Sequence, residues 1–248
     1  MEKILSKDGT PIAYQRTGTG PPLVLVHGTL GSCKRWPVLP TLGEQFTVNA
    51  IERRGYGESG DSASYAVERE FEDIAALVNS LGEGVSLLGH SFGGFCVLEA
   101  ALLTPNLRRL IVYEPSPLPV PGTPLYPDGI IDRYEAMLDA GERENVVTTM
   151  FRELVGMPPD EIELLKASPT FPSMVAAAHT IPRESRAEED YRFEPERFKH
   201  FNVPTMLLLG GDSPEFFKKT IERWHAALPN SRIVVLPGQQ HIAHYTSP

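Results

Sequence analysis

Short, continuous apolar runs alternate with longer stretches in which apolar side chains recur every three or four positions, and this alternation predicts strands separated by helices. Lys3 to Ser6 and Ile12 to Gln15 flank an Asp8-Gly9 turn and read as a hairpin. Leu23-Val24-Leu25-Val26 is apolar throughout, as expected of a strand covered on both faces, and Phe46 to Ile51 and Val85 to Leu88 repeat that character. Between them, Glu68 to Leu81 places Phe71, Ile74, Ala75, Leu77 and Val78 on one stripe, which predicts an amphipathic helix. A helix is expected after Ser91, through Val97, Leu98 and Ala101 to about Thr104, followed by a strand at Leu110 to Tyr113.

The strand pattern then pauses. From Pro115 to Phe201 the periodicity is helical, with Ile130, Ile131, Tyr134 and Leu138 on one stripe and Val146, Val147, Met150, Phe151 and Leu154 on another, broken by proline-rich turns. Strands resume at Met206 to Leu209 and Ile233 to Leu236, with a helix at Glu215 to Ala227 between them. The expected class is α/β, a mostly parallel sheet flanked by helices, with residues 1–114 and 202–248 as the core and 115–201 as an inserted helical cap.

Of 248 residues 41% are hydrophobic, enough for a substantial interior, which excludes a disordered chain. The 23 basic against 32 acidic residues give a formal charge of −9, and no basic run is present to neutralise a phosphate backbone, so nucleic acid is not an expected partner. No stretch has the roughly 18 to 20 apolar residues of a membrane helix, nor does the start carry an export signal. A soluble, cytoplasmic protein is expected. Cys33 and Cys96 are too few for a disulfide framework, and no Cys or His spacing suggests a structural metal.

The candidate chemistry begins at Gly89-His90-Ser91-Phe92-Gly93, a G-x-S-x-G placed where a strand should end and a helix begin. Such a turn strains the serine backbone and exposes Oγ, and glycines at 89 and 93 let neighbouring backbone pass without a Cβ clash. A serine hydroxyl needs an imidazole to take its proton, and the imidazole needs a carboxylate to fix its tautomer. Asp212 follows one late strand in Leu209-Gly210-Gly211-Asp212, and His241 follows the last one. Both belong at the carboxyl edge of the sheet with Ser91.

These residues, with His27-Gly28 after an early strand and Arg54-Gly55-Tyr56-Gly57-Glu58-Ser59-Gly60 after the next, resemble the α/β-hydrolase superfamily over essentially all of the chain except the cap. The resemblance implies a Ser-His-Asp site, Ser91, Asp212 and His241, with no cofactor and no metal. It implies an oxyanion hole from the backbone N–H groups of Thr29 and Phe92, with Leu30 in place of Thr29 if the loop is shifted by one. His27 and Gly28 would support that loop, His27 by hydrogen bonding rather than proton transfer. Glu114 is the alternative acid, because some branches take their carboxylate after the strand ending at Tyr113. Asp212 is preferred for the likeness of its run to the commoner arrangement.

His244 competes with His241 from further along the chain, while His90 is read as structural and His179, His200 and His225 as surface or cap groups. Cys33 and Cys96 read as small apolar fillers, and Glu52 stands where the family more often has aspartate. Pro248 comes only seven positions after His241, whereas such chains usually continue through a final helix, so a shortened form with a less firmly held His241 loop is expected. The implied reaction is hydrolysis of a carboxylic ester through an acyl-enzyme. Lactones, thioesters, C–C bonds and perhydrolysis remain open, as does a silent small-molecule receptor. Met137, Met150, Met157 and Met174 in the cap suit an adaptable apolar pocket if they line it. The expected partner is a small-molecule, ester-like substrate, acted on by a monomer or homodimer.

Overall fold

In the computed structural model, which describes every residue except Pro121 and Pro248 and all side chains besides those but Tyr245 and Thr246, eight strands form one sheet. Glu2–Leu5 (β1) and Pro11–Thr17 (β2) make the expected hairpin. Pro22–Val26 (β3) leads through a short helix, Leu39–Gly43 (α1), to Thr47–Ile51 (β4). Val67–Ser80 (α2) crosses over to Val85–His90 (β5), and Phe92–Ala100 (α3) to Leu107–Tyr113 (β6).

Among the described residues five α-helices follow: Ile130–Asp139 (α4), Arg143–Glu153 (α5), Pro159–Lys166 (α6), Phe171–Ala176 (α7) and Thr180–Asp190 (α8). The chain returns to the sheet with Thr205–Gly210 (β7), Glu215–Ala227 (α9) and Ser231–Leu236 (β8), then a single turn, Ala243–Thr246 (α10).

The strand order is β1-β2-β4-β3-β5-β6-β7-β8; β2 is antiparallel to both its neighbours, and every pairing from β4 to β8 is parallel. The expected mostly parallel sheet flanked by helices is therefore present. Parallel strands covered on both faces must be apolar throughout, and Leu23 to Val26 are at most 4% exposed. The stripe of α2 is buried as its period requires, from Phe71 to Val78.

The sheet order also places the site. From β3 the chain moves to β4 on one side, and β5 lies on the other. Successive connections thus diverge, opening a crevice beyond the carboxyl ends of β3 and β5.

The chain divides into two compact units, Met1–Leu118 with the residues from Arg192 onward, and Pro119–Tyr191. The expected boundaries at 115 and 201 are thus displaced. Residues 192–201 stay with the sheet unit because Phe193 and Phe198 pack edge-on against buried Trp224, at ring centroid separations of 4.7 and 5.1 Å, and Arg197 makes a two-pronged ion pair with Glu99. Such apolar anchors are invisible to periodicity.

Within the second unit, α4 packs on α5 and α8, and α5 on α6 and α7. Ile130, Ile131, Tyr134, Val146 and Val147 are buried on the expected stripes. Arg186 reaches across to Asp132 and Glu135, and Arg133 to Glu153, at exposed positions where water and salt screen each pair. Met174 is buried, while Met137, Met150 and Met157 are half-buried. Among the described residues no helix is long and apolar enough to cross a membrane.

Candidate active site

Ser91 joins the end of β5 to the start of α3 with φ 55° and ψ −126°, a left-handed conformation that L residues avoid. Holding it requires close backbone passage on both sides. A Cβ on Gly93 would lie 2.4 Å from the carbonyl oxygen of His27, and one on Gly89 would lie 2.4 Å from that of Gly93. Gly28 faces Ser91 directly, since its own Cβ would fall 2.7 Å from Ser91 Cβ and 3.3 Å from Oγ. The strand-turn-helix context, the strain and the glycine contacts are all as the motif demands. Phe92 is the first residue of α3, and its N–H is among those for which a helix provides no internal acceptor.

His241 lies beyond β8 and is held on several sides. Its Nδ1 donates to Glu114 Oε2 at 2.8 Å. Its ring stacks on Phe217 at 4.3 Å and 15°, and its carbonyl oxygen accepts from His90 Nε2 at 2.8 Å. The Tyr113 hydroxyl accepts from the N–H of Ala243 at 3.1 Å and donates to the carbonyl of Gln240. Burial, with a further push from Glu114, raises the Tyr113 phenol to about 12, so it stays protonated as a clamp.

The carboxylate beside the imidazole is thus Glu114, the alternative acid, and not Asp212. Glu114 follows β6, is fully buried, and takes φ 39°, a conformation rare for a residue other than glycine. Its other oxygen accepts from the N–H of Gly210 at 2.6 Å, so both oxygens are fixed. Asp212 sits in a loop held by its own backbone. Gly211 N–H bonds to Leu236 O at 2.8 Å and Asp212 N–H to Gln239 O at 2.9 Å, which ties this loop along β8 and leaves Asp212 exposed to solvent. Among the described residues no hydrogen bond joins His241 to Asp212, nor Ser91 Oγ to His241; catalytic bonds of this second kind often close only around substrate.

The loop after β3 is braced from below. Arg53 N–H donates to His27 Nε2 at 3.2 Å, which forces the ring proton onto Nδ1, and Nδ1 donates to Gly28 O at 2.8 Å. Both ring nitrogens are therefore engaged. Burial, reinforced by the Arg53 charge, holds His27 well below the usual histidine range, so it is a neutral strut. Leu30, with φ 56°, spends its N–H on the Tyr56 hydroxyl at 3.1 Å, which removes it as a substitute for Thr29.

His90 is likewise neutral, driven down by burial and then by the neighbouring His241 and His244. His244 packs on His90 at 4.2 Å and is held at about 4 by burial and the charge of His241. His179 contacts Arg143 and His225 contacts Ser231. Cys33 donates to Glu52 Oε1 at 3.1 Å, and burial and that carboxylate push its thiol up, so it is inert. Glu52 also accepts from Ser32 Oγ at 3.0 Å, a loop-bracing contact. Among the described residues no cluster of three or more His, Cys, Asp or Glu is arranged to hold a metal ion.

Chemically, the arrangement offers a hydroxyl on a strained turn that Gly28 faces, and an imidazole oriented by a buried carboxylate. A family model described as "Alpha/beta hydrolase family" matches residues 23–248. A crystal structure of an alpha/beta hydrolase from Sphaerobacter thermophilus superposes with a TM-score of 0.85 and 38% identity, covering 97% of this chain and 94% of that one. The 2-(acetamidomethylene)succinate hydrolase of Mesorhizobium japonicum is 25% identical over 242 residues, 93% of this chain and 85% of that protein. A soluble epoxide hydrolase from a Corynebacterium species is 40% identical over 114 residues, 44% of this chain and 40% of its own.

Proposed function

Since the chain belongs to the alpha/beta hydrolase family, we propose that it is a serine hydrolase that cleaves a carboxylic ester of a small to medium, largely apolar substrate through an acyl-enzyme. The observation that carries this reading is the buried Glu114 carboxylate fixed on His241 Nδ1, which leaves Nε2 as the basic nitrogen. Ser91 Oγ attacks the ester carbonyl carbon while His241 Nε2 takes its proton. The tetrahedral oxyanion is met by the N–H groups of Thr29 and Phe92, each contributing about 3 kcal/mol by analogy with single-donor deletions. His241 returns the proton to the leaving alkoxide, and water repeats the path to free the acid. Glu114, hydrogen-bonded to Nδ1, stabilises the imidazolium.

A hydroxyl at the elbow argues against epoxide opening by a carboxylate nucleophile, despite the 40% identity to an epoxide hydrolase over less than half of the chain. The relative matched over 93% of this chain is named for an acetamidomethylene succinate, which favours a second reading in which the carbonyl is that of an amide. The same residues serve, with His241 protonating a leaving nitrogen. Hydrolysis of p-nitrophenyl esters from acetate to decanoate, beside a small N-acyl enamide, tests both readings. Ester turnover that disappears in Ser91→Ala supports the first. Amide turnover without ester turnover replaces it with the second, and folded protein active on neither refutes both.

A further inference from the structure

Behind the proposed oxyanion hole lies a charge that the triad does not use. Arg53 is 1% exposed, as is Glu70, whose Oε1 accepts from Arg53 Nη1 at 3.0 Å. Arg53 Nη2 donates to the Tyr56 hydroxyl at 3.1 Å and to the carbonyl of Gly28 at 3.4 Å. The guanidinium also lies 4.7 Å from the ring centroids of both Tyr56 and Phe92. Taking two such charges out of water carries a desolvation penalty that an apolar pair filling the same space would not.

The contacts converge on one peptide. Gly28 O accepts from His27 Nδ1 at 2.8 Å, from Gly31 N at 3.0 Å and from Arg53 Nη2. In a planar trans peptide the carbonyl of one residue and the N–H of the next point in opposite directions. Drawing Gly28 O inward therefore turns the Thr29 N–H outward, toward the side on which Gly28 faces Ser91. The next N–H, of Leu30, is tied to the Tyr56 hydroxyl, which is itself held by Arg53. The same guanidinium lies against the ring of Phe92, whose N–H is the proposed second donor.

We propose that Arg53, seated on Glu70 and acting through Gly28 O and the Tyr56 hydroxyl, is a positioning residue that aims the Thr29 N–H at the oxyanion. The inference rests on the serine-hydrolase reading. It predicts a defect in the transition state rather than in ground-state binding, because the oxyanion exists only after attack.

The test uses Arg53→Met/Glu70→Gln, which leaves no lone buried charge, together with Arg53→Lys and Tyr56→Phe, all in the full chain and all checked for folding by circular dichroism and thermal melting. Each is assayed for kcat and KM on p-nitrophenyl butyrate and for Ki of an aryl trifluoromethyl ketone. In that adduct Ser91 Oγ bonds to the carbonyl carbon, its proton passes to His241, and the carbonyl oxygen becomes an oxyanion.

The double variant is expected to lose about 10- to 100-fold in kcat, less than outright deletion of a donor, with KM within about 3-fold and Ki raised by the same factor as kcat falls. Tyr56→Phe should lose about 3- to 10-fold in the same two readings, and Arg53→Lys should recover part of the loss. Folded variants with unchanged kcat, a rise in KM alone, or a fall in kcat with Ki unaltered would overturn the proposal. If the double variant does not fold, Tyr56→Phe decides. Wild-type protein that neither turns over the ester nor binds the ketone would overturn the serine-hydrolase reading and this inference together, whereas active wild type with indifferent variants overturns this inference alone.

Discussion

At the scale of single residues, the assignment of the carboxylate separates two substitutions that look equivalent in the sequence. Glu114→Gln leaves a neutral amide beside His241 Nδ1 and can favour the wrong tautomer, so kcat should fall about 10²- to 10⁴-fold with KM little changed. Asp212→Asn, on an exposed loop, should stay within about 3-fold of wild type. Steady-state kinetics on one ester decide between them, and a reversal of the two effects would return Asp212 to the site. Ser91 was legible because its chemistry is written in adjacent residues. The acid was not, because Glu114 and Asp212 both follow buried strands, and what separates them is a positive φ at Glu114 and the direction in which Gly210-Gly211 sends the next loop. The one local sign was a charged residue standing directly after a strand as apolar as Leu110 to Tyr113.

At the scale of elements, the buried strands could be read from composition because a parallel strand with both faces covered has no polar alternation to confuse it. The short helix α1 could not, since it spans only five residues with no buried side chain and a proline in its first turn. The elbow depends on how closely β3 and α3 approach. Gly93→Ala should cost about 1 to 3 kcal/mol, measured as a shift in the urea midpoint, because its methyl would meet two backbone oxygens, His27 O at 2.4 Å and Val26 O at 2.5 Å, that cannot rotate away. Tyr113→Phe removes the hydroxyl that fastens the turn around His241. An approximately 10-fold loss in kcat is expected, with the melting temperature less affected; an unchanged kcat would show that Glu114 and His90 suffice.

For the whole molecule, three histidines are kept neutral by their surroundings. Burial dominates for His27, His90 and His244, and each takes up protons more readily in the unfolded chain, where the ordinary value is about 6.5, than in the folded one. The unfolded state then binds more protons below that value, so their contribution to stability is complete above about pH 6.5 and falls as the pH drops toward the folded values, by up to about 1.4 kcal/mol per pH unit for each. For His244 that window runs from 6.5 to about 4. Urea titrations at pH 7.5, 6 and 5 should show a steady loss of stability, shallower in His244→Gln; a flat profile would mean that these rings ionise in the native state.

The fastening of His241 has a consequence for motion. Three of its anchors, His90, Tyr113 and Glu114, stand on or directly after β5 and β6 in the sheet interior, while β8, which precedes it in the chain, is the sheet margin. Marginal strands open first by fraying, so amide exchange along β8 should outpace that of Ala243, whose proton is held by an interior tyrosine. The imidazole would then keep its alignment through excursions of the strand that delivers it.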